Sequence, residues 1–187
     1  MKKLIFGLLV LALCAGPASA NSVGFFVSYY APADTSAESG LGVDFEWGSK
    51  VEFEMRFAVY DGLRTDANPE VYRLSATPID LGLNYNFGKG QTVTPYVGGG
   101  VSYMAFSFDG DPTRTTGQPA GAGVGPEFEI YAQFGLDFEI NTNWKASAEL
   151  VYRTGDTEVE SDDLGTPLDQ KVSINGPVFN VGLAVQW

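Results

Sequence analysis

The stretch FNVGLAVQW (residues 179–187) alternates in steps of two. Phe179, Val181, Leu183, Val185 and Trp187 are apolar, and Asn180, Gly182, Ala184 and Gln186 between them are small or polar. Successive side chains of an extended strand point to opposite faces, so this is a strand with one apolar and one wet face. It ends on an aromatic residue that belongs to the apolar face.

The same period recurs upstream. Val23, Phe25, Val27 and Tyr29 form one apolar set, Leu41, Val43, Phe45 and Trp47 a second, and Val51, Phe53, Met55, Phe57 and Val59 a third. Ile79, Leu81, Leu83, Tyr85 and Phe87 follow, then Val93, Val97, Val101 and Tyr103. Phe128 through Ile140 and Trp144 through Tyr152 complete the series. With the final stretch this predicts eight strands and no helix beyond residue 20. The links at 48–50, 88–92 and 141–143 are short and rich in Gly or Asn, as hairpin turns require. The links near 31–40, 61–70, 107–127 and 154–176 are long. Pairing Trp47 with Val51, Phe87 with Val93 and Ile140 with Trp144 keeps the apolar faces on one side around each hairpin.

Short turns at one end and long loops at the other are the pattern of a transmembrane barrel, in which the apolar face looks at lipid. A soluble lipocalin-like barrel would alternate too, but the aromatic residues argue against it. Trp47, Phe87, Trp144 and Trp187 fall on the apolar face at the short-turn end, and Tyr29, Tyr103, Phe128 and Tyr152 on the same face toward the long loops. Two such belts match the two membrane interfaces. An even number of strands closes without a free edge, which hydrocarbon demands. The expected fold is therefore an all-β, eight-stranded antiparallel up-and-down transmembrane β-barrel.

Residues 1–20 read as a secretory signal peptide: Lys2 and Lys3, a short apolar run, and small residues at Ala18 and Ala20. A membrane-spanning helix needs about 20 apolar residues, more than this run supplies. Cys14 is the chain's one cysteine, and Leu13 before it does not fit a lipoprotein signal. Cleavage would leave one domain, residues 21–187, with no cysteine and 9 basic against 23 acidic residues. Such a surface does not suit a nucleic-acid partner.

VTPYVGGGVSYM (residues 93–104) resembles the fifth strand of the small outer-membrane β-barrel family of opacity-type surface antigens and OmpA- or OmpX-like barrels. The stretches at 134–153 and 178–187 resemble that family's later strands. The resemblance implies the outer membrane of a Gram-negative bacterium, with its lipid and lipopolysaccharide as surroundings. It also implies that Phe179, Val181, Leu183, Val185 and Trp187 form the terminal signal read by the barrel assembly machinery. Trp187 would serve the aromatic belt as well.

Chemistry is scarce. The chain has no histidine, the general base that serine needs, so an enzyme is not expected. Nor is a cofactor, since the glycines at 98–100 lie inside a strand and precede no lysine. Gly98 and Gly100 should instead make room inside the barrel for bulky side chains. An interior of eight strands is only wide enough for side chains to fill.

On the wet face, Asp44, Glu46, Glu52, Glu54, Arg56, Glu139, Lys145 and Glu149 form the expected lumen charge cluster. The hairpin register would set Asp44 against Glu54, Glu46 against Glu52, and Lys145 against Glu139. With Arg56 the nearest base, the surplus carboxylates should hold water or cations, or else bases from other strands complete a closed plug. Tyr72, Leu74 and Ala76 fall out of phase with Ile79, which suggests a β-bulge at Thr77–Pro78 that turns Arg73 inward. The acids of loop 154–176 and of 109–113 could bridge calcium to lipopolysaccharide or a host surface, or simply be solvated. The expected function is a structural or surface-contact role through the loops, with a narrow cation-preferring conduit as the alternative and an enzyme third.

Overall fold

The structure is a computed structural model that describes residues 21–64, 73–88, 91–109, 123–124, 126–160 and 170–187. The signal-peptide reading of 1–20 lies outside these residues. Among the described residues eleven strands follow in order: β1 (Ser22–Tyr30), β2 (Glu38–Gly48), β3 (Val51–Arg64), β4 (Arg73–Asn86), β5 (Val93–Asp109), β6 (Gly123–Val124), β7 (Glu127–Asn141), β8 (Trp144–Thr154), β9 (Asp156–Glu160), β10 (Gln170–Ser173) and β11 (Gly176–Gln186). Eight of them, β1, β2, β3, β4, β5, β7, β8 and β11, close into an antiparallel barrel. The other three form a small sheet of order β10-β9-β6.

Closure joins the two ends of the domain. β1 pairs with β11 from Ser22↔Gln186 to Tyr30↔Val178, and the Trp187 amide donates to the Asn21 carbonyl at 3.2 Å. The alternating stretch at 179–187 is thus the strand that seals the barrel. Its apolar residues look outward, as do those of its neighbours. Leu41, Phe134 and Leu183 each keep more than half their surface exposed, which in water would be untenable for a face this large. Val43 and Phe45 share that outward parity but are buried in a local cluster with Val23, Trp47, Met55 and Phe57.

Two hairpin registers differ from the sequence reading by two residues, and in the third a shift between Glu139 and Asn141 pairs Trp144 with Asn141 rather than Ile140. Trp47 pairs with Phe53 rather than Val51, and Tyr85 with Val97, so that Phe87 lies opposite Pro95, whose carbonyl its amide reaches at 2.8 Å. The first turn is displaced by one residue rather than widened: Gly48 stays in the ladder opposite Glu52 and takes φ +127°, where a Cβ would run into the Val51 carbonyl. A slip of two preserves parity, so the faces stay right while the charge neighbours change. Asp44 now lies beside Arg56, Glu46 beside Glu54, and Gly48 beside Glu52.

The expected bulge at Thr77–Pro78 is not there. β4 pairs with β5 without a break from Arg73↔Asp109 to Asn86↔Tyr96. The register shift falls on β3 instead, between Asp61 and Leu63, where Gly62 adopts φ +127°. Ala76 and Pro78 are out of phase with the lipid face because they are buried inside the barrel. Tyr72 and the Arg73 side chain lie outside the described residues, as do the side chains of most of the loop acids.

Candidate functional site

The interior holds the polar chemistry, and it is filled. Three tiers of charge stack from the short-turn mouth upward, each joining strands from opposite walls. In the lowest tier Lys145 of β8 pairs with Glu46 of β2 and, at 3.1 Å, with Asp137 of β7. Ser22 donates to Glu46 at 2.5 Å. Glu139 is the ladder neighbour of Lys145, as read from the sequence, but it is exposed and the ammonium turns away from it.

Arg56 is the hub of the middle tier. Its Nη2 donates to Glu54, to Glu149 at 2.9 Å and to Gln133 at 3.2 Å, while Nη1 lies 2.8 Å from the second Glu149 oxygen. Glu54 also accepts from Gln133 at 2.7 Å and Asn84 at 3.2 Å. Glu149 accepts from Tyr96 at 2.9 Å and Asn180 at 2.7 Å. The Phe26 ring packs 5.5 Å from the guanidinium.

The upper tier rests on Arg153, which is almost wholly buried. Its two Nη atoms grip the two oxygens of Asp80 at 2.9 and 2.5 Å, and Nη1 also donates to Ser102 at 3.0 Å. Glu129 lies 3.7 Å away, and the Tyr131 ring 5.7 Å. A planar guanidinium suits this two-pronged contact as an ammonium would not.

Above these tiers the lining turns apolar. Tyr30, Tyr60, Leu63, Met104, Phe106 and Ile174 lead a buried cluster at the long-loop end. Ile174 reaches it from the link between β10 and β11, and the Tyr30 hydroxyl donates to the Ile174 carbonyl. Glycines supply the space below. A Cβ on Gly98 would collide with Asn84, one on Gly135 with the Tyr96 ring, and one on Gly82 with the Tyr131 hydroxyl.

The cluster read from the sequence was therefore incomplete. Glu46, Glu54, Arg56, Lys145 and Glu149 are assembled, Glu52 is buried near the mouth, and Asp44 borders the middle tier. Asp80, Glu129, Asp137 and Arg153 carry equal weight, and the neutral Asn84, Tyr96, Gln133 and Asn180 stitch the tiers together. Their inward parity was the available signal. The aromatic residues lie on the outer face. Trp47 sits 5.5 Å from Phe53, Phe87 5.0 Å from Tyr85 and Tyr103 5.3 Å from Phe128, with Tyr29, Trp144, Tyr152 and Trp187 exposed.

Comparison with known proteins agrees with this architecture. A sequence model described as the OmpW family matches residues 21–187. No curated protein sequence matches significantly. Among solved structures, the outer membrane protein OprG from Pseudomonas aeruginosa is similar with a TM-score of 0.71 at 18% identity, over 90% of this chain and 97% of that one. Neisserial surface protein A gives 0.63 at 14% identity, over 89% and 96%. Outer Membrane Protein W of E. coli gives 0.54 at 18%, over 90% and 99%. At these identities the likeness to solved structures is one of fold. It sustains the small outer-membrane barrel read at residues 93–104.

Proposed function

The chain belongs to the OmpW family of outer-membrane β-barrels, and from that premise we propose a non-catalytic barrel that anchors and presents its long loops as a contact surface. The observation that carries this reading is the filled lumen. Three cross-linked charge tiers and an apolar layer occupy the interior, and the chambers along the charge tiers are only water-sized, about 40 Å³ at the short-turn mouth and about 20 Å³ above it. The loops supply the other half. β6 comes from the link between β5 and β7 and pairs with β9 from the link between β8 and β11, so two loops share one sheet. Lipopolysaccharide and cell-surface ligands are the partners such a platform would meet.

The test is a conductance recording with the purified barrel in a planar bilayer. The expected result is a baseline without resolved steps. Steady cation-selective steps would overturn the closed-lumen reading and restore the conduit.

The apolar layer favours one second reading. An ion passing it would have to shed water against Tyr60, Met104 and Phe106, which offer little in return. If that layer parts, it admits a small apolar solute rather than a cation. Uptake of an apolar dye into barrel-containing vesicles, with no ionic current, would mark this case.

We also propose that Trp187 and the alternate residues before it address the chain to the barrel assembly machinery. Deleting Trp187 is then expected to reduce assembly in cells far more than refolding in detergent. Equal losses in both assays would leave it a structural residue only.

A further inference from the structure

The chamber at mid-lumen, about 20 Å³, has room for about one water-sized particle. Its wall carries four carboxylates, Asp44, Glu46, Glu54 and Glu149, against two bases, Arg56 and Lys145. Both bases are already engaged: Lys145 with Glu46 and Asp137, Arg56 with Glu54 and Glu149. Of the neutral donors on the wall, the Tyr96 hydroxyl and the Asn180 amide both serve Glu149, which leaves the Ser147 hydroxyl as the one further side-chain donor.

Two acceptors on the wall are left over. Asn180 is only 5% exposed, and its Oδ1 has no hydrogen-bond partner. The Asp44 carboxylate makes no hydrogen bond or ion pair among the described residues. Its ladder neighbour Arg56 turns toward Glu54 and Glu149, and on its other side Gly24 has no side chain to offer, because a Cβ there would strike the Asp44 carboxylate. A carboxylate and a carbonyl oxygen without donors, in a water-sized space with surplus negative charge, call for a small positive species.

We propose that this chamber is a resident site for one small monovalent cation, Na⁺ in the test below, held by Asp44 and Asn180 Oδ1. A divalent ion fits poorly. It wants six or more oxygens with several carboxylates, and no group of three metal-ligating acids is gathered among the described residues. The ion is structural and does not permeate, so the site is independent of whether the barrel conducts.

The experiment follows urea unfolding of the whole folded barrel in detergent, at fixed pH and ionic strength, as NaCl replaces choline chloride. Once Na⁺ exceeds its dissociation constant, the folding equilibrium constant should rise about tenfold for each further tenfold increase in Na⁺. Asp44→Asn should abolish that dependence, whereas Glu139→Gln, at the exposed mouth, should keep it. A midpoint equal in Na⁺ and choline overturns the proposal, including the case in which a proton occupies Asp44. So does an Asp44→Asn barrel that retains the full slope. Should Asp44→Asn not fold, the slope of the unsubstituted barrel decides alone.

Discussion

Arg153→Met is expected to cost the barrel about 3–5 kcal/mol, the usual penalty for removing one partner of a buried ion pair. The substitution leaves the Asp80 carboxylate, 1% exposed, without its two charge-assisted hydrogen bonds, and Ser102 without its donor. Glu129 loses the nearest base as well. Methionine fills much of the same length, so the loss measures charge rather than an empty space. The second half of the experiment is Asp80→Asn combined with Arg153→Met. Because the two residues contact each other, their effects should not add, and the double variant should recover part of the loss. Urea unfolding in detergent reads both. A single-variant loss below about 1 kcal/mol would mean that water reaches Asp80 freely and that the upper tier does not close the lumen.

Leu81→Arg is expected to cost about 2–4 kcal/mol in a lipid bilayer, because a cation at mid-depth on the outer face must be dragged through hydrocarbon. Leu81 of β4 lies midway between Phe87, in the short-turn aromatic belt, and Ser75, where the outer face becomes polar and Ser75 bonds Asp61 at 2.9 Å. The same substitution at Ser75 should cost about 0–1 kcal/mol, since that position is at interface depth. The contrast matters more than either value. Equal costs at the two positions would say that the outer face meets something other than a bilayer.

Parity along each strand was legible in the sequence, and together with the loop lengths and the aromatic belts it settled the fold. Leu41, Phe134 and Leu183 announce the outward face because nothing but lipid tolerates such a row. Register was less legible. Trp47 meets Phe53 rather than Val51 because moving the turn's centre by one residue slides the register by two without disturbing the alternation. The charge partners inherited that error, so Asp44 and Glu46 were set against the wrong neighbours. The apolar upper layer was missed for a different reason. Tyr60, Met104, Phe106 and Val151 have inward parity, yet apolarity was taken as the sign of the lipid side. The same assumption turned Ala76 into evidence for a bulge. Partners across the lumen, such as Arg153 with Asp80, depend on which walls face each other, and no single strand encodes that.

The spacing of those partners along the chain constrains how the molecule enters its membrane. Arg56 and Glu149 are 93 residues apart, Arg153 and Asp80 73, and Lys145 and Glu46 99. A hairpin of β2 and β3 inserted by itself would carry Asp44, Glu46, Glu52 and Glu54 into hydrocarbon with Arg56 as the one base between Lys50 in its turn and Arg64 at its far end. Such a step is prohibitive while the compensating residues of β8 are still outside. The sheet must therefore curl before it sinks, bringing the first third of the domain against the last before either crosses. Insertion becomes a single concerted event, whose slow stage is the meeting of distant segments rather than the addition of successive hairpins.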